Sequence, residues 1–428
     1  MSHLASFAAL LVSAGVLLAG NGLFGTLISV RANLEHFSPT TIGLIGSAFY
    51  AGFIAGSIWA PRLIIRAGHV RTFAAMGALY AASALIHAML VSPLAWSLLR
   101  IAGGVCFAGL TLVLESWLNA RSTNENRGRV LSVYRLVDLG CVTAGQFILT
   151  LADPRSYEIF SIVALFFCCA LVPLSMSRAI PPSPPPQPKM RIMWLLRLSP
   201  LGAAGVFGVG LVNGTFRMVA PTVAFDLGLS VAEIAMLMSA FILGGAVLQF
   251  PMGALSDRID RRVVLMIATV GAMISSGIMG HLATLGAAWF ITAGFLFGGF
   301  AVPIYSIAMT HANDFAHDDE YVEVSAGLFL IFGIGATVGP FAGSAAVTLF
   351  GNSALFYYCS AMHGLLLLFA IYRRTSRPSI PVGQRGNFVG LIRTSPALFR
   401  LAFRVRTGST GRNDAKDRND SDTPDPKT

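Results

Sequence analysis

Twelve long apolar runs constrain this chain more than any other feature. They lie near 5–30, 41–65, 70–91, 94–120, 129–152, 156–176, 199–225, 231–255, 262–282, 286–311, 322–349 and 353–372. Each is long enough to cross a hydrocarbon core, which takes about 20 helical residues. Lipid offers backbone N–H and C=O groups no partner, so only helices or closed barrels cross it. The runs show no period-2 alternation, which makes them helices. Composition agrees. The chain is 55% hydrophobic and only 12% charged, about half the roughly 25% charge of a soluble domain.

An even number of spans returns both termini to one side. Of the 30 Lys and Arg, 25 fall in segments 62–71, 121–129, 177–198, 258–262 and 373–428. The opposite loops hold Arg31 and Arg155, and Arg100, Arg135 and Arg217 lie within spans. Basic residues collect on the cytoplasmic side, which predicts that both termini are cytoplasmic. Loop 312–321 has acids and no Lys or Arg, but acids contribute little to orientation. The first run has no basic residue before Arg31, unlike a cleaved secretory leader. It is read as a retained first helix.

The stretch Ser177–Arg191, "SRAIPPSPPPQPKMR", is Pro-rich and polar and cannot cross a membrane. Six spans precede it and six follow. The predicted organisation is a six-helix bundle over 1–176, a cytoplasmic linker over 177–198, a second six-helix bundle over 199–373, and a basic tail over 374–428. Pro-rich linkers are extended and semi-rigid. In the tail, Asn387–Arg404 sets Arg393, Arg400 and Arg404 among apolar residues. It suits an anionic inner leaflet or a partly disordered segment. The last fifteen residues or so have a disordered composition.

Several function classes find no support. The net charge of +10 sits in short loops and the tail, without the basic patch on a soluble domain that nucleic-acid binding needs. Cys106, Cys141, Cys168, Cys169 and Cys359 lie inside apolar runs without metal-ligand spacing. The eight histidines are scattered, so no metal site is predicted. No Walker-type GxxxxGK[ST] occurs, which argues against ATP as the energy source. No Ser/His/Asp, HExxH or paired-carboxylate set falls on one face. The expectation is a protein that is not an enzyme and needs no cofactor.

Charge does cluster in two short loops about 192 residues apart. Between spans eight and nine stand Gly253, Asp257, Arg258, Asp260, Arg261 and Arg262. Between spans two and three stand Pro61, Ile65, Arg66, Gly68 and Arg71. These loops resemble the G-x-x-x-D-R-x-G-R-R signature of the major facilitator superfamily of transporters. Asp260 replaces the second Gly in the later copy. Pro61 and Ile65 replace the first Gly and the Asp in the earlier one. Arg100-Ile-Ala-Gly-Gly104 resembles the family's R-x-x-x-G element in span four. Gly335-Ala-Thr-Val-Gly339-Pro340-Phe-Ala-Gly343 resembles its GP-containing helix in span eleven. Span five lacks a GP motif, which in the family often accompanies antiport, so export is weakened. A narrower likeness is to a bacterial branch of mostly unassigned substrate. It rests on Glu115-Ser-Trp-Leu-Asn119, Asn126-Arg-Gly-Arg129, Pro303-Ile-Tyr305-Ser306 and His311-Ala-Asn313-Asp314.

The resemblance implies an all-α membrane protein of 12 transmembrane helices in two pseudo-symmetric six-helix bundles, in the bacterial inner membrane. It implies a monomeric secondary transporter that moves a small organic solute by alternating access, with the proton gradient as driver. The alternative is a non-transporting sensor or assembly protein on the same scaffold. Gly253, Asp257, Arg258, Arg261, Arg262, Arg66, Gly68 and Arg71 are then candidates for a conformational latch on the cytoplasmic side. The same arginines also serve topology.

Ionisable groups within spans mark function by default. Glu115 and Arg135 each lie about 9 Å inside the predicted cytoplasmic boundary at 1.5 Å per residue. An ion pair between them is geometrically open, as a brace or as part of coupling, and Arg127 and Arg129 are alternative partners for Glu115. Asp138 lies one turn deeper, on the face of Arg135. Asp138, Glu115 and Arg135 are the proton-coupling candidates. Arg100 and Arg217 sit in the outward half, where they would favour an anionic group on a solute or snorkel to the interface. The family's cavity is lined mainly by spans one, four, seven and ten. With Asn21, Asn213, Tyr305 and Ser306, these arginines are the substrate-cavity candidates. Gln146 and Gln249 are read mainly as links between helices. Pro303 and Pro340 are expected to kink or break theirs.

Overall fold

A computed structural model describes residues 2–122, 127–176, 191–282, 286–317, 320–376 and 388. Among them are thirteen helices and no strand. The first six are α1 (Ser2–Leu34), α2 (Pro39–Ala67), α3 (His69–Met89), α4 (Pro93–Arg121), α5 (Arg127–Ile148) and α6 (Tyr157–Ser175). A short α7 (Ile192–Leu198) leads to α8 (Pro200–Asp226), α9 (Val231–Arg258), α10 (Arg261–Leu282), α11 (Ala287–Asn313), α12 (Tyr321–Phe350) and α13 (Ala354–Ser376). The twelve long helices fall on the twelve apolar runs, so spans seven to twelve are α8–α13. Eleven are long and apolar enough to cross a membrane. The exception, α5, carries Arg129, Arg135, Asp138 and Gln146 within 22 residues. The Pro-rich stretch and all the tail save Phe388 lie outside the described residues. The end of the predicted linker is helical, since α7 lies within 177–198.

Local chemistry sets the helix ends. Ser38, Ser199 and Ser230 each accept a backbone N–H from the first turn of the helix that follows. Proline stands at the first position of α2 and α8, where its fixed φ and missing N–H cost nothing. Ser230 and Glu233 form a reciprocal capping box. Gly68 alone joins α2 to α3, at φ 84°, a left-handed value that a side chain would resist. Pro303 and Pro340 do not end their helices, and α11 and α12 run through them.

Twofold pseudo-symmetry is visible in the packing. In the first half Gly52 lies against the carbonyl of Ile101, and Gly104 against that of Phe49, where α2 crosses α4. In the second half Gly244 lies against the carbonyl of Phe295, and Gly298 against that of Phe241, where α9 crosses α11. A side chain at any of the four would meet backbone, so glycine lets the helix axes come close. The halves meet through α2 with α12, α1 and α2 with α8, and α5 with α9.

The two ends of the bundle differ. We call the end that carries Arg66, Arg71, Arg258 and Arg373 the basic face. At the opposite face a seam of hydrogen bonds joins the halves. Ser29 Oγ donates to the Met218 carbonyl at 2.5 Å and lies 2.7 Å from Thr222 Oγ1. Asn33 donates to Asp226 Oδ1 at 2.7 Å, and Thr40 and Thr348 hydroxyls are 2.8 Å apart.

Candidate functional site

Between the halves lies a cavity of about 230 Å³. Its wall is built mainly from α1, α2, α4, α5, α8 and α9. Helix α11, in the position expected to line it, contributes Val302 alone among the described lining residues. Helices α5 and α9 take a larger share than expected.

Four charged residues face the cavity: Arg100, Asp138, Arg135 and Arg217. All four were reached from the sequence as charges inside spans. Arg100 lies seven residues into α4 from the opposite face and is 4% exposed. Its Cζ sits 4.1 Å from the ring centre of Phe49 and 5.5 Å from that of Phe24. Its Nε and Nη1 have no hydrogen-bond partner. Arg217 is exposed to the cavity. Among the described lining residues the charge is three guanidinium groups against one carboxylate.

Helix α5 presents Arg135, Asp138, Val142 and Gln146 to the cavity, a spacing of three and four that puts them in one stripe. Its two ends are tied to different halves. Gln146 Oε1 accepts from Thr26 at 2.7 Å, and its Nε2 donates to the Gly22 carbonyl at 3.2 Å, both on α1. Arg135 donates across to Gln249 Oε1 on α9. Gln249 Nε2 in turn donates to Ser306 Oγ on α11 at 2.9 Å. Asp138 stands between the two ties.

The predicted Glu115–Arg135 pair is not formed, because Arg135 turns toward the other half. Glu115 is fully buried and accepts from Tyr134 Oη at 3.2 Å. It still links α4 to α5, through Tyr134 in place of Arg135. Asn21 lines the cavity and accepts from Tyr80 Oη at 2.8 Å. Asn213, Tyr305 and Ser306 lie off the lining, buried within the second half. The Tyr305 ring packs edge-on to Phe332. Ser306 is joined to the cavity lining through Gln249. The aromatic contacts of Arg100 were not legible as site features, whereas Gln146 and Gln249, read as links between helices, do link them. Phe24 and Phe49 sit in ordinary apolar runs.

The loop residues form their own cluster. Arg261 is 1% exposed; its Nε donates to Asp314 Oδ2 at 2.6 Å and its Nη1 to Ser256 Oγ at 2.9 Å. Asp257 accepts from Arg261 at 3.3 Å and from the Phe388 backbone N–H at 2.7 Å. The Phe388 ring lies over Gly253. Asp260 accepts the Arg262 backbone N–H at 2.9 Å and its guanidinium at 2.7 Å. Arg258, Arg66, Gly68 and Arg71 are exposed. These contacts run within the second half and to Phe388.

A sequence model described as Major Facilitator Superfamily matches residues 10–201 and 202–408. A protein of Escherichia fergusonii named uncharacterized MFS-type transporter YcaD is 25% identical over 360 residues, covering 83% of this chain and 93% of that one. Among solved structures, the nucleoside transporter NupG aligns with TM-score 0.71 at 12% identity, over 86% of this chain and 98% of that chain. A bacterial homolog of the human lysosomal transporter Spinster, inward-facing and occupied, aligns with TM-score 0.72 at 14% identity, over 89% and 97%. A D-xylose–proton symporter aligns with TM-score 0.67 at 14% identity, over 85% and 96%. The chain belongs to the major facilitator superfamily of transporters.

Proposed function

We propose that the protein is a proton-coupled secondary transporter of the bacterial inner membrane, with both termini in the cytoplasm. It moves a small organic solute by rocking one six-helix half against the other. The observation that carries this reading is the cavity between the halves, lined among the described residues by four charged side chains, with the Ser29–Thr222 and Asn33–Asp226 seam joining the halves at the opposite face. A sensor or assembly protein on this scaffold has no need of a charged, water-sized interior. A transporter needs one near mid-membrane, at the interface of its repeats.

The coupling group is Asp138. It is the one carboxylate among the described lining residues and lies a turn from Arg135, whose guanidinium bridges to α9. When ionised, Asp138 competes with Gln249 for Arg135. When protonated, it leaves Arg135 to hold α5 against α9. A proton thereby changes the relative stability of two arrangements of the halves, which is the differential interaction that coupling requires. Glu115, buried on α4 and held by Tyr134, braces α4 against α5.

The test is uptake from a cell extract into proteoliposomes, read by untargeted mass spectrometry with and without an inward-acid pH gradient. The wild type is expected to accumulate its solute only with the gradient. Asp138→Asn is expected to exchange solute across equal pH but to gain nothing from the gradient. Gradient-driven accumulation by Asp138→Asn at the wild-type rate would defeat the coupling proposal. Cysteines placed at either terminus are expected to resist a membrane-impermeant maleimide in intact cells.

A further inference from the structure

We propose that the cavity takes an organic monocarboxylate with an apolar or aromatic body, and that Arg100 binds its carboxylate. The inference rests on the transport reading only for the cavity being a solute site. It adds the class of the solute.

Arg100 carries the argument. A guanidinium group this deeply withdrawn from solvent needs partners for its charge and its N–H groups. Among the described residues no Asp or Glu lies within 4.0 Å of it, whereas Arg31, Arg191, Arg261 and Arg262 each have an acid. Its surroundings are the rings of Phe49 and Phe24 and the hydroxyl of Tyr80, which itself donates to Asn21. Aromatic faces attract the cation, but they do not accept hydrogen bonds along its in-plane N–H directions. Nε and Nη1 are left open, and both belong to a residue that lines the cavity. A pair of charged donors, held in place and without an acceptor, is complementary to a planar oxyanion. A carboxylate matches it bidentately.

The remaining wall sets sign and body. Arg217 adds a second cation exposed to the cavity, and Arg135 a third that is tied to Gln249. Against these stands Asp138 alone among the described lining residues. A cationic solute would meet this charge at a cost, and an anion would relieve it. Around Arg100 the lining includes Phe49, Tyr50, Phe53, Phe107 and, from the other half, Phe241. Rings from both halves suit an apolar body. They offer few of the hydrogen-bond partners that a polyhydroxylated solute would need.

The test uses the purified full-length protein in lipid nanodiscs. Binding of phenylacetate and hexanoate is compared with that of phenylacetamide, hexanamide and phenethylamine. At least tenfold tighter binding of an acid than of its amide is expected, with no detectable binding of the amine. Arg100→Gln is expected to remove that preference. Arg100→Lys, which keeps the charge but loses the planar fork, should retain part of it. Arg217→Gln should weaken binding about two- to threefold. Should Arg100→Gln fail to fold, Phe49→Leu, which loosens the hold on the guanidinium, should weaken acid binding without affecting the amide. The proposal is overturned if the amides or the amine match the acids, if no acid binds, or if phenyl phosphate binds where no acid does. It is also overturned if Arg100→Gln binds acids as the wild type does. Acid binding without flux in proteoliposomes would defeat the transport reading and leave this one standing. Flux of a neutral or cationic solute without acid binding would do the reverse.

Discussion

The two signature loops occupy the same place in their halves but are built on different physics. In the second half, Arg261 leaves the start of α10 and is buried against Asp314 at the end of α11. In the first half, the residue 192 positions earlier is His69, and its ring lies edge-on to Trp117 on α4, with centroids 6.4 Å apart. Each contact ties the loop to the same helix of its own repeat. One is a desolvated ion pair and the other an aromatic contact. Asp260 stands where the signature has glycine and caps α10. Gly68, its counterpart, keeps the left-handed turn and caps nothing through a side chain. The signature's residues can thus diverge while the tie they make is kept, provided something joins the loop to the fourth helix of the half.

The largest test of this comparison is Arg261→Ala or Asp314→Ala. Arg261→Ala takes the buried Asp314 carboxylate's cation away, which costs about 3–5 kcal/mol; Asp314→Ala should cost less, since Arg261 keeps Asp257 at 3.3 Å. A marked fall in the thermal unfolding midpoint in nanodiscs is expected. The double variant Arg261→Met/Asp314→Leu should recover most of the loss, since an apolar pair avoids the desolvation cost. Failure to recover would mean that the pair does more than hold α10 to α11. Next comes Asp260→Ala, which removes the cap and the partner of Arg262, at about 0.5–2 kcal/mol by the behaviour of helix caps. Asp260→Gly should cost less than Ala, because glycine is tolerated at helix starts. His69→Ala follows, at about 0.5–1.5 kcal/mol for an aromatic pair. The smallest effect is expected for Arg66→Gln and Arg71→Gln, within about 0.5 kcal/mol as for exposed sites generally. Their replacement should instead raise the fraction of misoriented protein, read by protease protection, since they contribute to the positive-inside signal.

Height along a helix was legible in the sequence, and direction around it was not. The apolar runs set the helix boundaries to within a few residues. Charges inside the runs led to Arg100, Arg135, Asp138 and Arg217, all of which reach the cavity. Asn213, Tyr305 and Ser306 were placed at a suitable depth but face into the second half. Helix α8 shows why: 78% of its membrane window is buried, so no polar stripe separates a cavity face from a packing face. The partner of Arg135 was missed for a related reason. Glu115 is near in the chain and at the right height, whereas Gln249 belongs to the other half, 114 residues away. Neighbouring helices in sequence fix neither rotation nor the contacts made across a repeat interface. Helix α7 escaped notice because seven residues beside a Pro-rich stretch carry too little periodic signal.

The seam at the opposite face is made of hydroxyls, amides and one carboxylate. Such groups trade a protein partner for a water molecule at a net difference of about 0.5–1.5 kcal/mol each. Ser29, Thr222, Asn33 and Thr40 can therefore part, be hydrated, and rejoin without leaving a stranded charge. The ion pair between Arg261 and Asp314 lies within the second half, so the proposed rocking of the halves need not break it. If the halves rock as proposed, rigidity is kept within each half and the easily rehydrated bonds lie where the two would separate.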